Sequence, residues 1–184
     1  KPFFILATQN PIEQAGTFPL PEAQLDRFLL YIRINYPSAE EERAVLENTT
    51  GSKPTAIEKI IDGNKIKEAQ RLVREVHINP ELISMVSELV RATRPAQSEN
   101  KMVKDAVRWG AGPRAGQAMI LTAKARALLK GRFAVTEEDV KHMALPVLRH
   151  RILMSFKAEA EGVTSDDVTR HLIEKASSAN FRMV

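Results

Sequence analysis

The spacing of hydrophobic residues along the chain changes near residue 37. Before that point, two short apolar runs, 3–8 and 29–34, are each followed by Asn and Pro, which is typical of buried strands in a parallel sheet. A Gly- and Pro-rich stretch and a short helix over 22–27 lie between the two runs. The pattern therefore predicts a two-stranded remnant of an α/β sheet in residues 1–36.

Residues 37–184 are predicted to be helical throughout. Ser38 with Glu41, and Thr136 with Asp139, have the spacing of capping boxes that begin helices. Apolar residues three and four positions apart predict one buried face on each of four helices: Leu82, Ile83, Val86, Leu89 and Val90; Ala118, Leu121, Thr122, Ala125, Leu128 and Leu129; Val140, Met143, Ala144, Val147 and Leu148; Val168, Leu172, Ile173 and Ala176. We therefore expect a mainly α chain in which a bundle of roughly five or six helices follows the sheet remnant.

The composition excludes several classes of protein. The 184 residues contain no cysteine, which excludes disulfide frameworks, zinc–thiolate sites and thiol catalysis and fits a cytoplasmic location. The four histidines, at 77, 142, 150 and 171, lack the spacing of metal ligands, so no metal site is predicted from them. No apolar run approaches the roughly 18 residues that a membrane-spanning helix needs.

Positive charge is concentrated after residue 50. The net charge is +4, but residues 1–50 hold 4 basic and 7 acidic side chains, and the remainder holds 23 basic and 16 acidic. The basic part can bind a polyanion, either nucleic acid or nucleotide phosphate, or it can be a solvated helical surface. Aromatic residues make up only 5% of the chain and do not alternate with basic ones, so stacking of single-stranded bases has no support. We interpret Arg149-His150-Arg151 as a surface cluster.

Two polar residues follow predicted elements at ends that face outward. Asn10 comes just after the first predicted strand, at the sheet edge where ligands of α/β proteins gather, and its amide can orient a water or a phosphate. It can equally bond its own turn. Arg27 ends the short predicted helix, where it can pair with Asp26 or Glu22. The alternative is that Arg27 reaches a phosphate held by a neighbouring subunit.

Arg114 is the strongest candidate for an anion-binding residue. In Gly112-Pro113-Arg114, Pro113 fits the first position of a helix and Gly112 fits its cap. Arg114 then lies in the first turn, where the helix dipole disfavours a cation by a few tenths of a kcal/mol. A bound anion removes this cost, because backbone amides and the guanidinium then act on it together.

Seven stretches of the chain resemble the MoxR family of AAA+ ATPases, and together they span nearly its whole length. They are Ala-Thr-Gln-Asn-Pro-Ile-Glu-Gln at 7–14, Gly-Thr-Phe-Pro-Leu-Pro-Glu-Ala-Gln-Leu-Asp-Arg-Phe at 16–28, Val-Arg-Ala-Thr-Arg at 90–94, Gly-Pro-Arg-Ala at 112–115, Ala-Lys-Ala-Arg-Ala-Leu-Leu at 123–129, Pro-Val-Leu-Arg-His-Arg at 146–151 and Ala-Glu-Ala-Glu-Gly-Val at 158–163.

The resemblance implies roles for the three candidate residues. Asn10 would be the sensor 1 amide that positions the attacking water. Arg27 would be the arginine finger that acts on the ATP of the next subunit. Arg114 would be the sensor 2 arginine, carried by the helical lid and touching the γ-phosphate. One departure is that Gly112 stands where the family usually has Ser, which makes the helix start looser.

Two motifs of such ATPases are missing from the sequence. No segment fits Gly-x-x-x-x-Gly-Lys-Ser/Thr, and no apolar strand ends in Asp-Glu. The resemblance therefore implies that ATP and Mg²⁺ are bound mainly by residues outside this chain. In the family, the strand that carries the phosphate loop lies between the two strands predicted here. We accordingly expect residues 1–36 to lack a native partner within the chain; if they are ordered, another chain or a rearranged packing must cover them.

The resulting interpretation is the C-terminal part of a MoxR-type ATPase, with the end of the nucleotide-binding α/β domain in 1–36 and the helical lid in 37–184. The resemblance implies ATP hydrolysis coupled to chaperone-like remodelling of partner proteins. It also implies a homo-oligomeric ring, expected to be a hexamer, acting beside a von Willebrand factor A domain protein or another client. We expect no ATPase activity from this chain alone. A non-catalytic helical interaction module is the alternative, and a nucleic-acid-binding lid is the least favoured hypothesis.

Overall fold

The computed structural model describes residues 3–9, 20–51 and 58–180, and it is mainly helical, as predicted. No helix within these residues combines the length and the apolar character that crossing a bilayer requires. The described elements, in chain order, are α1 (Glu22–Leu25), α2 (Ala39–Thr50), α3 (Gly63–Glu75), α4 (Pro80–Ala92), α5 (Lys101–Ala106), β1 (Val107–Trp109), α6 (Pro113–Leu129), α7 (Glu137–Leu148), β2 (Leu153–Met154), α8 (Phe156–Ala160) and α9 (Ser165–Asn180).

Both predicted capping boxes are confirmed. The Ser38 hydroxyl accepts a hydrogen bond from the Glu41 amide at 3.3 Å, and the Glu41 carboxylate accepts one from the Ser38 amide at 2.8 Å. At the start of α7, the Asp139 carboxylate accepts from the Thr136 amide at 2.9 Å. These reciprocal bonds satisfy amides that a helix leaves without partners in its first turn, and this is why α2 and α7 begin where the sequence indicates.

Helix α6 lies at the centre of the core and packs against α3, α4 and α7, while α9 packs against α4 and α7. Buried alanines on α6 let its neighbours approach closely. The buried residues of α6 are Ala115, Ala118, Met119, Thr122, Ala123 and Ala127. Two residues expected in the core are instead exposed. Ile83 is 43% exposed, and Leu129, the last residue of α6, is 88% exposed because the helix ends there.

The two predicted strands over 3–8 and 29–34 are wrong. Both segments lack strand pairing, and the first is open to solvent, with Phe3 84% exposed. A strand requires a neighbour to accept its backbone hydrogen bonds, and no such neighbour exists among the described residues. The sheet found in this part of the chain is instead a small antiparallel one, in which β1 pairs with β2.

A close backbone contact fixes the entry to α6. A Cβ atom at Gly110 would lie 2.4 Å from the carbonyl oxygen of Thr93, so only glycine fits there. The buried Thr93 hydroxyl accepts a hydrogen bond from the Ala111 amide at 2.9 Å and donates one to the Val90 carbonyl at 2.6 Å. These contacts tie the end of α4 to the turn that precedes α6, and so they set the direction of the first residues of α6.

Candidate functional site

The first turn of α6 carries Arg114 at the surface, as the sequence predicts. Gly112 is the N-cap, without a side-chain hydrogen bond, and Pro113 is the first helical residue. The Arg114 side chain is 53% exposed, and its Nη1 donates a hydrogen bond to Oδ2 of Asp26 at 2.5 Å. A carboxylate therefore already accepts a hydrogen bond from the guanidinium that an anionic ligand would bind.

Arg27 follows α1 and is exposed. Its backbone amide donates to the Gln24 carbonyl at 3.1 Å, which continues the turn of the helix. The predicted pairing of Arg27 with Asp26 or Glu22 is wrong, because Asp26 pairs with Arg114 and Glu22 with Arg108. Within the residues that the structure describes, the Arg27 guanidinium has no hydrogen bond or ion pair, so it can reach another molecule. Asn10, the third candidate, lies outside the described residues.

A buried arginine holds the segment around Arg27 against the helical part of the chain. Only 1% of the Arg151 side chain is exposed. Its Nε donates to Oδ1 of Asp26 at 3.1 Å, and its Nη atoms donate to the carbonyl oxygens of Asp26 at 3.0 Å, Phe28 at 2.5 Å and Val147 at 2.5 Å. Burial lowers the pKa of Arg151, and the Asp26 carboxylate partly offsets this effect.

The two residues before Arg151 extend the same attachment. Nε2 of His150 donates to the Phe28 carbonyl at 3.1 Å, and the His150 ring stacks on Tyr31 with centroids 6.0 Å apart. Arg149 donates to the Tyr31 carbonyl at 3.1 Å while holding Asp166 with two nitrogens. Burial, followed by the charge of Arg151, lowers the pKa of His150.

These contacts correct two expectations from the sequence. Arg149-His150-Arg151 is an anchor, with His150 and Arg151 buried and Arg149 half-buried, and not a surface cluster. Residues 26–31 also have partners within the chain, since the Tyr31 amide donates to the Pro146 carbonyl at 2.8 Å in addition to the bonds above. The missed signal is the position of the three residues directly after the apolar helix α7, where cations interact favourably with the carbonyl end.

A cleft of about 430 Å³ lies between α1 and the small sheet. Its lining carries both charges and apolar surface: Glu22, Ala23, Asp26, Arg108, Trp109, Gly110, Gly112, His150, Arg151 and Leu153. Because Nε2 of His150 is the donor, its Nδ1 is an acceptor, and this atom has no partner among the described residues. The described residues contain no cluster of His, Asp and Glu that could hold a metal ion.

Two family descriptions match the chain. Residues 99–172 match the AAA lid domain, and residues 1–30 match the ATPase family associated with various cellular activities. The first match covers every element from α5 to α8 and the first half of α9. The second match ends within the segment that Arg151 holds. Arg114 therefore lies in the lid match and Arg27 in the ATPase match, and the Arg114–Asp26 ion pair joins the two.

Individual relatives give the same result. The chain is 37% identical to Chaperone MoxR1 of Mycobacterium tuberculosis over 94% of its own length, and 37% identical to the YeaC protein of Bacillus subtilis over the same share. A solved structure from Cytophaga hutchinsonii, described as a "putative ATPase", superposes with a TM-score of 0.88 at 37% identity over 95% of the chain. The chain spans about half the length of these relatives, covering 46%, 52% and 53% of them respectively.

Proposed function

Because this chain belongs to the MoxR family of AAA+ ATPases, we propose that it carries the phosphate-sensing and trans-acting residues of an ATP-hydrolysing, chaperone-like machine. Residues 1–36 would belong to the nucleotide-binding domain and residues 37–184 to its lid. The observation that carries the proposal is Arg114, an exposed guanidinium in the first turn of the long helix α6. There the amide end of the helix and the guanidinium can act together on a phosphate.

The three candidate residues divide the work of hydrolysis. Arg114 binds the γ-phosphate of ATP through its planar donors, and Arg27, which is exposed and unpaired among the described residues, supplies a second guanidinium to the ATP of a neighbouring subunit. Asn10 orients the attacking water. Bound ATP supplies the phosphoryl group, and the role of this chain is to stabilise the charge that develops on it.

The described residues fit the phosphate of ATP but not its magnesium ion. Arginines supply the donors that an anion requires, whereas no carboxylate cluster suited to Mg²⁺ lies in the described part of the chain. We therefore assign no magnesium ligand and derive no step through the metal. Hydrolysis by the whole machine then depends on residues beyond those of this chain for most of its nucleotide affinity.

A trans-acting Arg27 requires neighbouring subunits, so we propose a homo-oligomeric ring, with a hexamer as the expected size and the cytoplasm as its location. The name of the M. tuberculosis relative is that of a chaperone. By analogy, the client of this machine would be a protein, such as a von Willebrand factor A domain protein, whose structure the ring remodels. A non-catalytic interaction module is the second candidate, and exposed apolar side chains such as Phe3 and Leu6 favour it.

Calorimetry with ATP and magnesium tests the role of Arg114 on this chain. We expect weak binding, with a Kd on the order of 1 mM, because only part of the site is present. Arg114→Ala should abolish it, while Arg108→Ala, which removes an exposed guanidinium from the cleft that Asp26 lines, should leave it within about twofold. Equal ATP affinity in Arg114→Ala and the unmodified chain would contradict the proposal. Tight binding of a client protein in the absence of ATP would favour the interaction module.

A further inference from the structure

One carboxylate, that of Asp26, is shared by two arginines from different parts of the lid. Its Oδ2 accepts from Nη1 of Arg114 at 2.5 Å, and its Oδ1 accepts from Nε of Arg151 at 3.1 Å. Arg114 comes from the first turn of α6, and Arg151 follows the end of α7. Asp26 itself directly precedes Arg27 in the chain.

The two arginines are held very differently. Arg151 is 1% exposed and also donates to the carbonyl oxygens of Asp26, Phe28 and Val147, so it stays in place without the Asp26 carboxylate. Arg114 is 53% exposed, and Asp26 is the only hydrogen-bond partner of its side chain among the described residues. Arg114 can therefore leave Asp26 while Arg151 keeps the segment attached.

We propose that Asp26 is a positioning residue. It pairs with Arg114 when no nucleotide is bound, and Arg114 leaves it to bind phosphate when nucleotide binds. This inference rests on the proposed phosphate-binding role of Arg114. A carboxylate and a phosphate use the same planar donors of a guanidinium, so they compete for it. Asp26 is 29% exposed, which makes its bond to Arg114 accessible to solvent and exchangeable.

If Asp26 and phosphate compete for Arg114, removing the charge of Asp26 strengthens anion binding. Damage to the fold would not strengthen it. The probe is inorganic tripolyphosphate, and binding is followed by calorimetry and by the fluorescence of Trp109, the sole tryptophan, which lines the same cleft as Asp26. We expect Asp26→Asn to bind tripolyphosphate about fivefold to tenfold more tightly than the unmodified chain. The asparagine oxygen can still accept from Nε of Arg151, and circular dichroism verifies the fold.

Glu22→Gln is the matched control, because it removes one negative charge from the wall of the same cleft. Glu22 pairs with Arg108 and not with Arg114, so its loss should change the tripolyphosphate affinity by less than about twofold. Asp26→Glu, which keeps the charge, should resemble the unmodified chain. In the background of Arg114→Ala, the gain from Asp26→Asn should disappear.

The unmodified chain provides a measurement that no substitution can disturb. The NMR signal of the Arg114 Nε–H group should shift as tripolyphosphate is added, while that of Arg151 should stay in place. An unchanged or weakened affinity in Asp26→Asn, a gain equal to that of Glu22→Gln, or a gain that persists without Arg114 would overturn the role of Asp26. An affinity that does not depend on Arg114 at all would instead overturn the proposed function, so the two failures are distinguishable.

Discussion

Replacing Arg151 with methionine tests whether this residue fastens residues 26–31 to the lid. Methionine keeps most of the apolar volume of the arginine stem but removes every donor of the guanidinium. Those donors contact Oδ1 of Asp26 and the carbonyl oxygens of Asp26, Phe28 and Val147, all at 2.5–3.1 Å. The substitution therefore breaks the attachment at several points at once, while leaving the core helices unchanged.

The expected cost follows from burial. Removing one partner of a buried ion pair costs about 3–5 kcal/mol, because the other charge stays behind without compensation. Asp26 is 29% exposed, so water recovers part of this loss at the carboxylate. The cost of burying the guanidinium, which is visible in the lowered pKa of Arg151, also disappears. We therefore expect Arg151→Met to lower the free energy of unfolding by about 2–3 kcal/mol.

Urea unfolding measures this loss, and Arg108→Met is its control. Arg108 lines the same cleft, but its side chain is 68% exposed and its ion pair with Glu22 spans 3.6 Å, so its replacement should cost less than about 0.5 kcal/mol. The Tyr31 amide, which donates to the Pro146 carbonyl, should exchange with solvent about tenfold faster or more in Arg151→Met. Equal stability of the two variants, with unchanged exchange at Tyr31, would refute the anchoring role.

Three further outcomes follow from buried groups. Asp139 has no exposed side-chain area and joins two arginines to the α7 capping box. Asp139→Asn should therefore lower the free energy of unfolding, measured in urea, by about 3 kcal/mol. Glu138 is 80% exposed, so Glu138→Gln should have little effect. The pKa of His150 is lowered in the folded chain, so the unfolded chain binds its proton more readily, and stability should fall as the pH drops below about 6.5. His150→Gln should reduce that fall, and His142→Gln, at an exposed position, should not. Gly110→Ala should cost about 2 kcal/mol or more by thermal unfolding, because its methyl group would collide with backbone.

Local signals in the sequence predicted the helices well. The capping boxes at Ser38 and Thr136 place the starts of α2 and α7, because the reciprocal bonds form within four residues of chain. The predicted strands at 3–8 and 29–34 failed for the opposite reason. An apolar run indicates burial, but a strand forms only where a second strand lies beside it, and this requirement is not local.

In the candidate site, too, one residue could be identified from its neighbours in the sequence and another could not. Arg114 could be identified from its place in the first turn of a helix, which is a property of three neighbouring residues. The role of Arg151 could not, because its partners at Asp26 and Phe28 lie more than 120 residues away in the chain. A run of two arginines and a histidine is ordinarily a solvated surface, and only the packed structure brings it against the carbonyl oxygens of Phe28 and Tyr31.

The attachment of residues 26–31 explains how Arg27 can be positioned although the described residues around it form no strand pairs. Three consecutive residues, Arg149 to Arg151, donate side-chain hydrogen bonds to the backbone of this segment, whereas a sheet would supply backbone bonds. All three follow the end of α7, so this helix end is in direct contact with the segment that contains Arg27. Arg114 on α6 and Arg151 after α7 both donate to the Asp26 carboxylate, so contacts from two helices meet at the residue that directly precedes Arg27.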